Sequence, residues 1–130
     1  MALTEKEAAI AFARAWNRLD ATEFLALLAP DAKYASQWVF EELQNKAAIE
    51  SYLIAKLKAV KAHAVNDPQS KVRVEIGTTQ AGEVDRPCAY MKQGTNEAVV
   101  LFSISNGMIS RYDLCIPQLY RPDRSCVYPI

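Results

Sequence analysis

The sequence predicts a single α+β domain over residues 1–130, with three N-terminal helices packed on the concave face of a strongly curved, mostly antiparallel sheet. In the first half of the chain, apolar residues recur mainly every three or four positions, which is the period of a helix with one buried face. From residue 72 onward the period falls to two, which is typical of strands. Helices followed by consecutive strands give the α+β arrangement, and 130 residues suffice for one core.

The first two helices follow from their end signals. Thr4 and Glu7 form a capping box, so the first helix begins near Glu5. Thr22 is expected to cap a second, shorter helix, which Pro30 ends because proline cannot continue the hydrogen-bond ladder. The apolar stripe of the first helix comprises Ala9, Phe12, Ala13, Trp16 and Leu19.

A strand and a third helix come next. Residues 32–40 alternate with period two, which predicts one strand or two half-strands joined by a turn. Asn45 offers an N-cap for a helix that runs to about Ala62. His63 is placed just past that end, where a surface or dipole-satisfying role is the usual one and catalysis is the alternative.

The rest of the chain is predicted to be strand. Asn106-Gly107 between two β-rich runs predicts a tight hairpin, and Gly82 and residues 94–96 supply two further turns. The tail from Pro117 to Ile130 is expected to lie across the surface as irregular chain or a short edge strand. The four predicted strands span 72–79, 87–93, 97–105 and 108–116.

Composition limits the partners. Fifteen basic and fifteen acidic side chains cancel, so no net field would attract nucleic acid or an anionic membrane. No stretch approaches the roughly 20 apolar residues of a membrane span, and the N-terminal MALTEKEAAI lacks the pattern of a signal peptide. We therefore expect a cytoplasmic protein that binds neither nucleic acid nor membrane.

Metal and nucleotide chemistry are also disfavoured. Cys88, Cys115 and Cys126 lack the close pairing of zinc ligands or of a redox motif, so we expect reduced, packed thiols, with a reactive or metal-binding role as the alternative. The chain contains no Gly-rich phosphate loop, HExxH or GxSxG motif. We expect no cofactor and no bound metal.

Three segments carry a family resemblance. AWNRLDATEFLALLAPDAKY, NKAAIESYL and FSISNGMISRYD resemble the first two helices, the third helix and the final hairpin of the NTF2-like superfamily, in particular its SnoaL-like and ketosteroid-isomerase-like branches. The resemblance covers nearly the whole chain and implies the cystatin-like cone fold. The superfamily hosts isomerases, cyclases, epoxide hydrolases, dehydratases and plain binding proteins, so the resemblance does not assign a reaction.

The resemblance points away from steroid isomerisation. Where those isomerases carry a carboxylate base on the first strand, this chain has Gln37, and an amide cannot accept a proton. Their helix-one tyrosine, which forms part of an oxyanion hole, corresponds to about Ala15. In the SnoaL-like and epoxide-hydrolase branches an acid/base aspartate comes from the last strand, which here offers Asp113 with Arg111 as its partner.

The sequence allows either face of the last strand to point into the pocket. Strand alternation directs either Arg111 and Asp113, or Tyr112 and Leu114, into the pocket. In the first case Asp113 is the acid/base candidate, with Arg111 fixing its ionisation. In the second, Arg111 and Asp113 form an exposed charge pair on the outer face.

Aromatic side chains suggest a ligand pocket. A curved sheet closed by helices leaves a cone with an apolar interior, which suits a small apolar molecule. Five aromatic residues could supply stacking faces and hydrogen-bond donors there, although each could equally be core filler. These substrate-binding candidates are Trp16, Tyr34, Trp38, Tyr52 and Tyr90.

Three functional hypotheses remain. The first is a cofactor-free enzyme or binding protein for a small apolar or aromatic molecule. The second is a binding module without chemistry, and the third is an assembly role for the outer face of the sheet. We also expect a homodimer through that outer face, because helices cover only the other side and the apolar residues left over need covering.

Overall fold

The computed structural model describes residues 3–36, 39–67, 71–81, 84–115, 123–125 and 127–129. In this part of the chain it contains three helices and seven strands. The helices are α1 (Glu5–Arg18), α2 (Thr22–Ala26) and α3 (Lys46–Ala64). The strands are β1 (Leu28–Ser36), β2 (Val39–Leu43), β3 (Val72–Ala81), β4 (Val84–Gln93), β5 (Asn96–Ser105), β6 (Met108–Cys115) and β7 (Asp123–Arg124).

The strands form one mixed sheet in the order β2-β1-β6-β5-β4-β3-β7. Only the β1–β6 pairing among these is parallel, and every other neighbouring pair is antiparallel. Helix α1 packs on β3, β4 and β5, while α3 packs on β1. The predicted α+β class, with helices against a mostly antiparallel sheet, is confirmed.

The N-cap side chain caps the first turn in α1 and in α3, but not in α2. The Thr4 hydroxyl accepts from the Glu7 backbone at 3.1 Å and the Glu7 carboxylate accepts from the Thr4 backbone at 3.0 Å, so the capping box is confirmed. Asn45 likewise accepts from the Ala48 backbone at 2.9 Å at the start of α3. The prediction for Thr22 was wrong: it is the first helical residue of α2, and Asp20 accepts from its backbone and its hydroxyl instead.

The segment after α2 becomes a strand earlier than expected. β1 begins at Leu28 and includes Pro30, which the sequence suggested as a helix terminator before a strand at residue 32. The pairing of β1 with β6 is irregular between Leu28 and Lys33, so the missing proline N–H falls where the ladder is interrupted. Residues 32–36 belong to β1 and residues 39–40 to β2, and these two strands pair antiparallel, as the two-half-strand alternative predicted.

The hairpin turns follow the predicted chemistry. Asn106 and Gly107 have φ values of 55° and 75°, the left-handed pair that a two-residue type I′ turn requires. Gly94 also has a positive φ, at the turn between β4 and β5. The predicted turn at Gly82 lies outside the described residues.

The C-terminal segment runs along the edge of the sheet. β7 pairs antiparallel with β3, and the Ile76 backbone then donates to Val127 at 3.1 Å. Asn17 on α1 bonds both this segment, through the carbonyl of Pro129, and the backbone of Val74. The predicted edge strand is confirmed for the described part of the tail.

Buried side chains form two clusters on opposite faces of the sheet. The helix-facing cluster contains Phe12, Phe24, Phe102 and Tyr112, whose rings contact one another at centroid distances between 5.3 and 6.3 Å. The second cluster consists of Cys88, Tyr90, Val99, Leu101 and Cys115, and all five are buried within a single chain. These five residues are therefore not exposed apolar surface that a dimer would need to cover.

Cys88 and Cys115 are both buried, as expected of packed thiols. Burial, followed by the nearby charge of Glu75, raises the pKa of the Cys88 thiol to about 12. Because the thiolate is the reactive form, Cys88 is an inert packed thiol at neutral pH. Cys126 lies outside the described residues. Within the described chain, no helix has the length and apolar character needed to cross a membrane.

Candidate functional site

An open cavity of about 500 Å³ lies on the helix-facing side of the sheet. Its walls come from α1, α3 and the strands β1, β3, β4, β5 and β6. The apolar lining consists of Phe12, Trp16, Leu53, Ala59, Val60, Val72, Met91, Ala98 and Leu114. The polar or aromatic-polar lining consists of Tyr34, Ser36, Tyr52, Lys56, His63, Lys92, Gln93, Asn96, Glu97 and Tyr112.

Three tyrosines from three different elements meet in this cavity, and we call them the tyrosine cluster: Tyr34 on β1, Tyr52 on α3 and Tyr112 on β6. The rings of Tyr34 and Tyr112 stack with a centroid distance of 4.5 Å and an interplanar angle of 23°. The ring centroid of Tyr52 lies 5.7 Å from that of Tyr34. Hydrogen bonds join the Tyr34 hydroxyl to those of Ser36 and Tyr52.

Two members of the tyrosine cluster, Tyr34 and Tyr112, are held in their neutral form. Burial is the main cause that raises the pKa of Tyr34 far above its ordinary value, and the neighbouring Tyr52 adds to the effect. Burial likewise raises the pKa of Tyr112 well above 10.0. At neutral pH these phenols therefore stay protonated and can donate hydrogen bonds to a ligand oxygen, but they cannot act as bases.

Trp16 forms part of the wall contributed by α1. Its indole lies 6.5 Å from the ring of Phe12, and 8% of the residue surface is exposed. Among the described residues, the buried Nε1–H of Trp16 has no hydrogen-bond partner.

The exposed lining residues lie on the C-terminal half of α3 and on the β4–β5 hairpin, and they mark the opening of the cavity. Lys56, His63 and Lys92 lie at this opening and are exposed. The Lys56 ammonium sits 5.6 Å from the centre of the Tyr52 ring. Glu97 also lines this region, and its carboxylate accepts a hydrogen bond from the Tyr90 hydroxyl.

His63 belongs to α3 rather than following it, which corrects the expected helix end. The sequence contained a signal for its position, because His63 follows Tyr52 by eleven residues, about three helical turns, and thus shares its face. The sequence reasoning also missed Ser36 as a neighbour of Tyr34.

Asp113 and Arg111 are outside this cavity. Asp113 pairs with Ala35 and Leu101 across the sheet, while the intervening Tyr112 faces the helices. The Arg111 guanidinium bonds Asp113 at 3.0 Å and Glu42 at 3.0 Å, with each side chain about one third exposed. The hydrogen bonds that Arg111 donates to these two carboxylates, first to Asp113 and then to Glu42, raise its pKa.

This placement removes the geometric reason for making Asp113 the acid/base group of the large cavity. The alternation that directs Tyr112 and Leu114 inward is the one adopted, and the charge pair lies on the outer face. There Asp113 borders a smaller cavity of about 290 Å³ together with Arg86, Leu101 and Cys115.

The substrate-binding candidates predicted from the sequence do not all line the large cavity. Trp16, Tyr34 and Tyr52 line the large cavity. Tyr90 does not, because it belongs to the buried cluster on the opposite face of the sheet. Trp38 and Gln37 lie outside the described residues, and Ala15 is buried on α1.

The chain is similar to known proteins in structure but not in sequence. No family model matches the sequence, and no curated protein matches it significantly. Solved structures do match. An uncharacterised cystatin-fold protein from Novosphingobium aromaticivorans is 19% identical with a TM-score of 0.61, over 88% of this chain and 99% of that one.

Two further structures have similar scores. A SnoaL-like protein of unknown function from Burkholderia thailandensis is 17% identical, with a TM-score of 0.60 over 86% of this chain and 97% of its own. A candidate polyketide cyclase from Pseudomonas putida KT2440 is 21% identical, with a TM-score of 0.59 over 88% and 92%. The chain therefore has the cystatin-like α+β fold that its resemblance to the NTF2-like superfamily implies.

Proposed function

We propose that this protein binds a small, flat, largely apolar molecule in the large cavity without a metal or nucleotide cofactor. The observation that carries the proposal is the cavity itself, because about 500 Å³ lies within the range of roughly 300–1,000 Å³ typical of small-molecule sites. Aromatic faces of Trp16, Tyr34 and Tyr52 supply the stacking surfaces that a ring system needs.

The tyrosine cluster adds a polar requirement. The hydroxyls of Tyr34 and Tyr52 suit a ligand that presents a carbonyl or phenolic oxygen to them. The candidate polyketide cyclase with the same fold supports aromatic, oxygen-bearing polyketide-like compounds as the first class to test.

Binding is better supported than proton abstraction. General-base catalysis needs a group that loses its proton near the working pH, and the raised pKa values of Tyr34 and Tyr112 keep those phenols protonated. The carboxylate of Glu97 is already engaged by Tyr90. The cavity can therefore hold a ligand and stabilise negative charge on its oxygen.

A second candidate is a cofactor-free enzyme that uses His63. His63 lines the cavity opening and is the only histidine of the chain, so it is the base that a bound ligand could reach. If turnover of a ring compound is found, His63→Gln is the first variant to measure.

The test of binding is a thermal-shift screen with aromatic ketones and phenols on matched variants of α3. Val60 lines the cavity, whereas Ile54 lies on the exposed side of the same helix. Val60→Trp should fill the cavity and Ile54→Trp should leave it open. A ligand at one hundred times its Kd adds about 2.7 kcal/mol of stability, which raises Tm by several degrees.

The expected result is a shift in the wild type and in Ile54→Trp that is absent in Val60→Trp. Equal shifts in both variants would place the binding site elsewhere. A screen in which no ring compound raises Tm would overturn the proposal.

A further inference from the structure

The opening of the large cavity carries lysine side chains that form no ion pair within the described part of the chain. Among the described residues, neither Lys56 nor Lys92 is within ion-pair distance of a carboxylate. From Ser51 to Ala64, α3 contains three lysines and one histidine but no acidic residue. The cavity thus has an apolar interior and a cationic rim.

The helix dipole does not account for Lys56. Cations stabilise a helix when they lie within its last turn, near the free carbonyls. Lys61 and His63 occupy that last turn of α3, whereas Lys56 lies eight residues before the final helical residue, Ala64. Its ammonium is instead placed beside the Tyr52 ring at the cavity wall.

The charge of Lys92 is partly compensated by a nearby carboxylate, whereas the charge of Lys56 is not. The Cα of Lys92 is paired with that of Glu97 across the β4–β5 hairpin, so a carboxylate lies on the neighbouring strand. Lys56 projects from α3 without an acidic residue one turn before or after it, since Tyr52 and Val60 occupy those positions. Lys56 is therefore the cation best placed to meet a ligand.

We propose that the ligand carries an anionic group, of the carboxylate or sulfonate class, which Lys56 binds at the cavity opening. This inference rests on the proposed function, because it specifies the chemistry of the molecule that the cavity holds. One turn of α3, about 6 Å, separates Lys56 from Tyr52 along the axis. The ligand thus places its anion at the rim and its ring system against the aromatic wall.

The experiment uses a pair of fluorescent probes that differ in charge. Anilinonaphthalene sulfonate carries one negative charge, and phenylnaphthylamine has the same aromatic skeleton without it. The Kd of each is measured by fluorescence titration for the wild type, for Lys56→Gln and for the control Lys58→Gln. Lys58 is exposed on α3 but does not line the cavity.

Lys56→Gln should raise the Kd of the sulfonate about fivefold, the scale of one partly exposed charge pair, and leave that of the neutral probe within about twofold. Lys58→Gln should change neither Kd. Raising NaCl from about 0.1 M to about 1 M shortens the screening length from about 10 Å to about 3 Å, so only sulfonate binding should weaken.

Failure of this inference can be told from failure of the proposed function. If Val60→Trp abolishes binding of both probes but Lys56→Gln affects them equally or not at all, the cavity binds ligands and the anion site is wrong. If neither probe binds the wild type, both proposals are overturned. If Lys56→Gln and Lys58→Gln raise the Kd of the sulfonate equally, the cause is the overall positive charge of α3 and not a site at Lys56. That result would also overturn the anion site.

Discussion

Asn17 ties three parts of the fold together through one side chain. Its amide nitrogen donates to the Val74 carbonyl at 2.8 Å and to the Pro129 carbonyl at 2.7 Å. Its oxygen accepts from the Val74 backbone at 2.9 Å. Helix α1, strand β3 and the C-terminal segment therefore all depend on this residue, and we predict that Asn17→Ala destabilises the protein.

The magnitude follows from the three hydrogen bonds. Each contributes a net free energy of about 1 kcal/mol, so their loss should lower the free energy of unfolding by about 3 kcal/mol. With a urea m-value of about 2 kcal/mol/M, the midpoint should fall by about 1.5 M. The loss is large because the Val74 N–H and C=O are left without the amide in a partly buried place.

Urea denaturation followed by fluorescence provides the measurement. Asn66→Ala is the matched control, since Asn66 is exposed beyond α3, and its change should stay within about 0.5 kcal/mol. Asn17→Asp keeps the acceptor for Val74 but places a charge against two carbonyls, so it should be no more stable than Asn17→Ala. A loss below about 1 kcal/mol in Asn17→Ala would show that water replaces these bonds and would refute the reasoning.

Three further predictions follow from the site and its surroundings. Asp113→Asn should leave the affinity of the large cavity for ring compounds unchanged, because the carboxylate lies on the other face of the sheet; a titration showing a tenfold loss would contradict that placement. Above pH 10.0 the unfolded chain loses phenolic protons that folded Tyr34 and Tyr112 retain. The free energy of unfolding should therefore fall by about 1.4 kcal/mol per pH unit for each of these two tyrosines. Urea titrations at several pH values should show a shallower fall in Tyr34→Phe than in the wild type. The homodimer predicted from the sequence should give a light-scattering mass twice the 14.5 kDa of the chain at tens of micromolar protein, and a mass near 14.5 kDa would reject it.

Features that depend on a few adjacent residues were predictable from the sequence. The capping box at Thr4 and the cap at Asn45 were predicted correctly because a cap needs only one side chain and a backbone group three residues away. The Asn106-Gly107 hairpin was predictable because few other pairs adopt two left-handed conformations in succession. These signals placed α1, α3 and the β5–β6 hairpin.

Features that depend on tertiary contacts were not predictable in the same way. β1 begins at Leu28 because it pairs there with Ile109 of β6, a strand about eighty residues away in sequence. Local preference at Pro30 pointed to a helix end followed by a later strand. The meeting of Tyr34, Tyr52 and Tyr112 likewise depends on the parallel pairing of β1 with β6 and on the packing of α3 over β1.

The face presented by β6 decides what chemistry the cavity can perform. Tyr112 is inward because its ring packs 5.3 Å from Phe24 and 4.5 Å from Tyr34. A shift of one residue would bring Asp113 and Arg111 together into this apolar interior and away from Glu42, and removing ions from water costs several kcal/mol for each ion. The same aromatic packing that stabilises the core therefore excludes the β6 carboxylate from the large cavity. In the proposed function, polar recognition falls to the hydroxyls of the tyrosine cluster and to Lys56 at the opening. This arrangement suits the holding of an oxygen-bearing anion better than the removal of a proton.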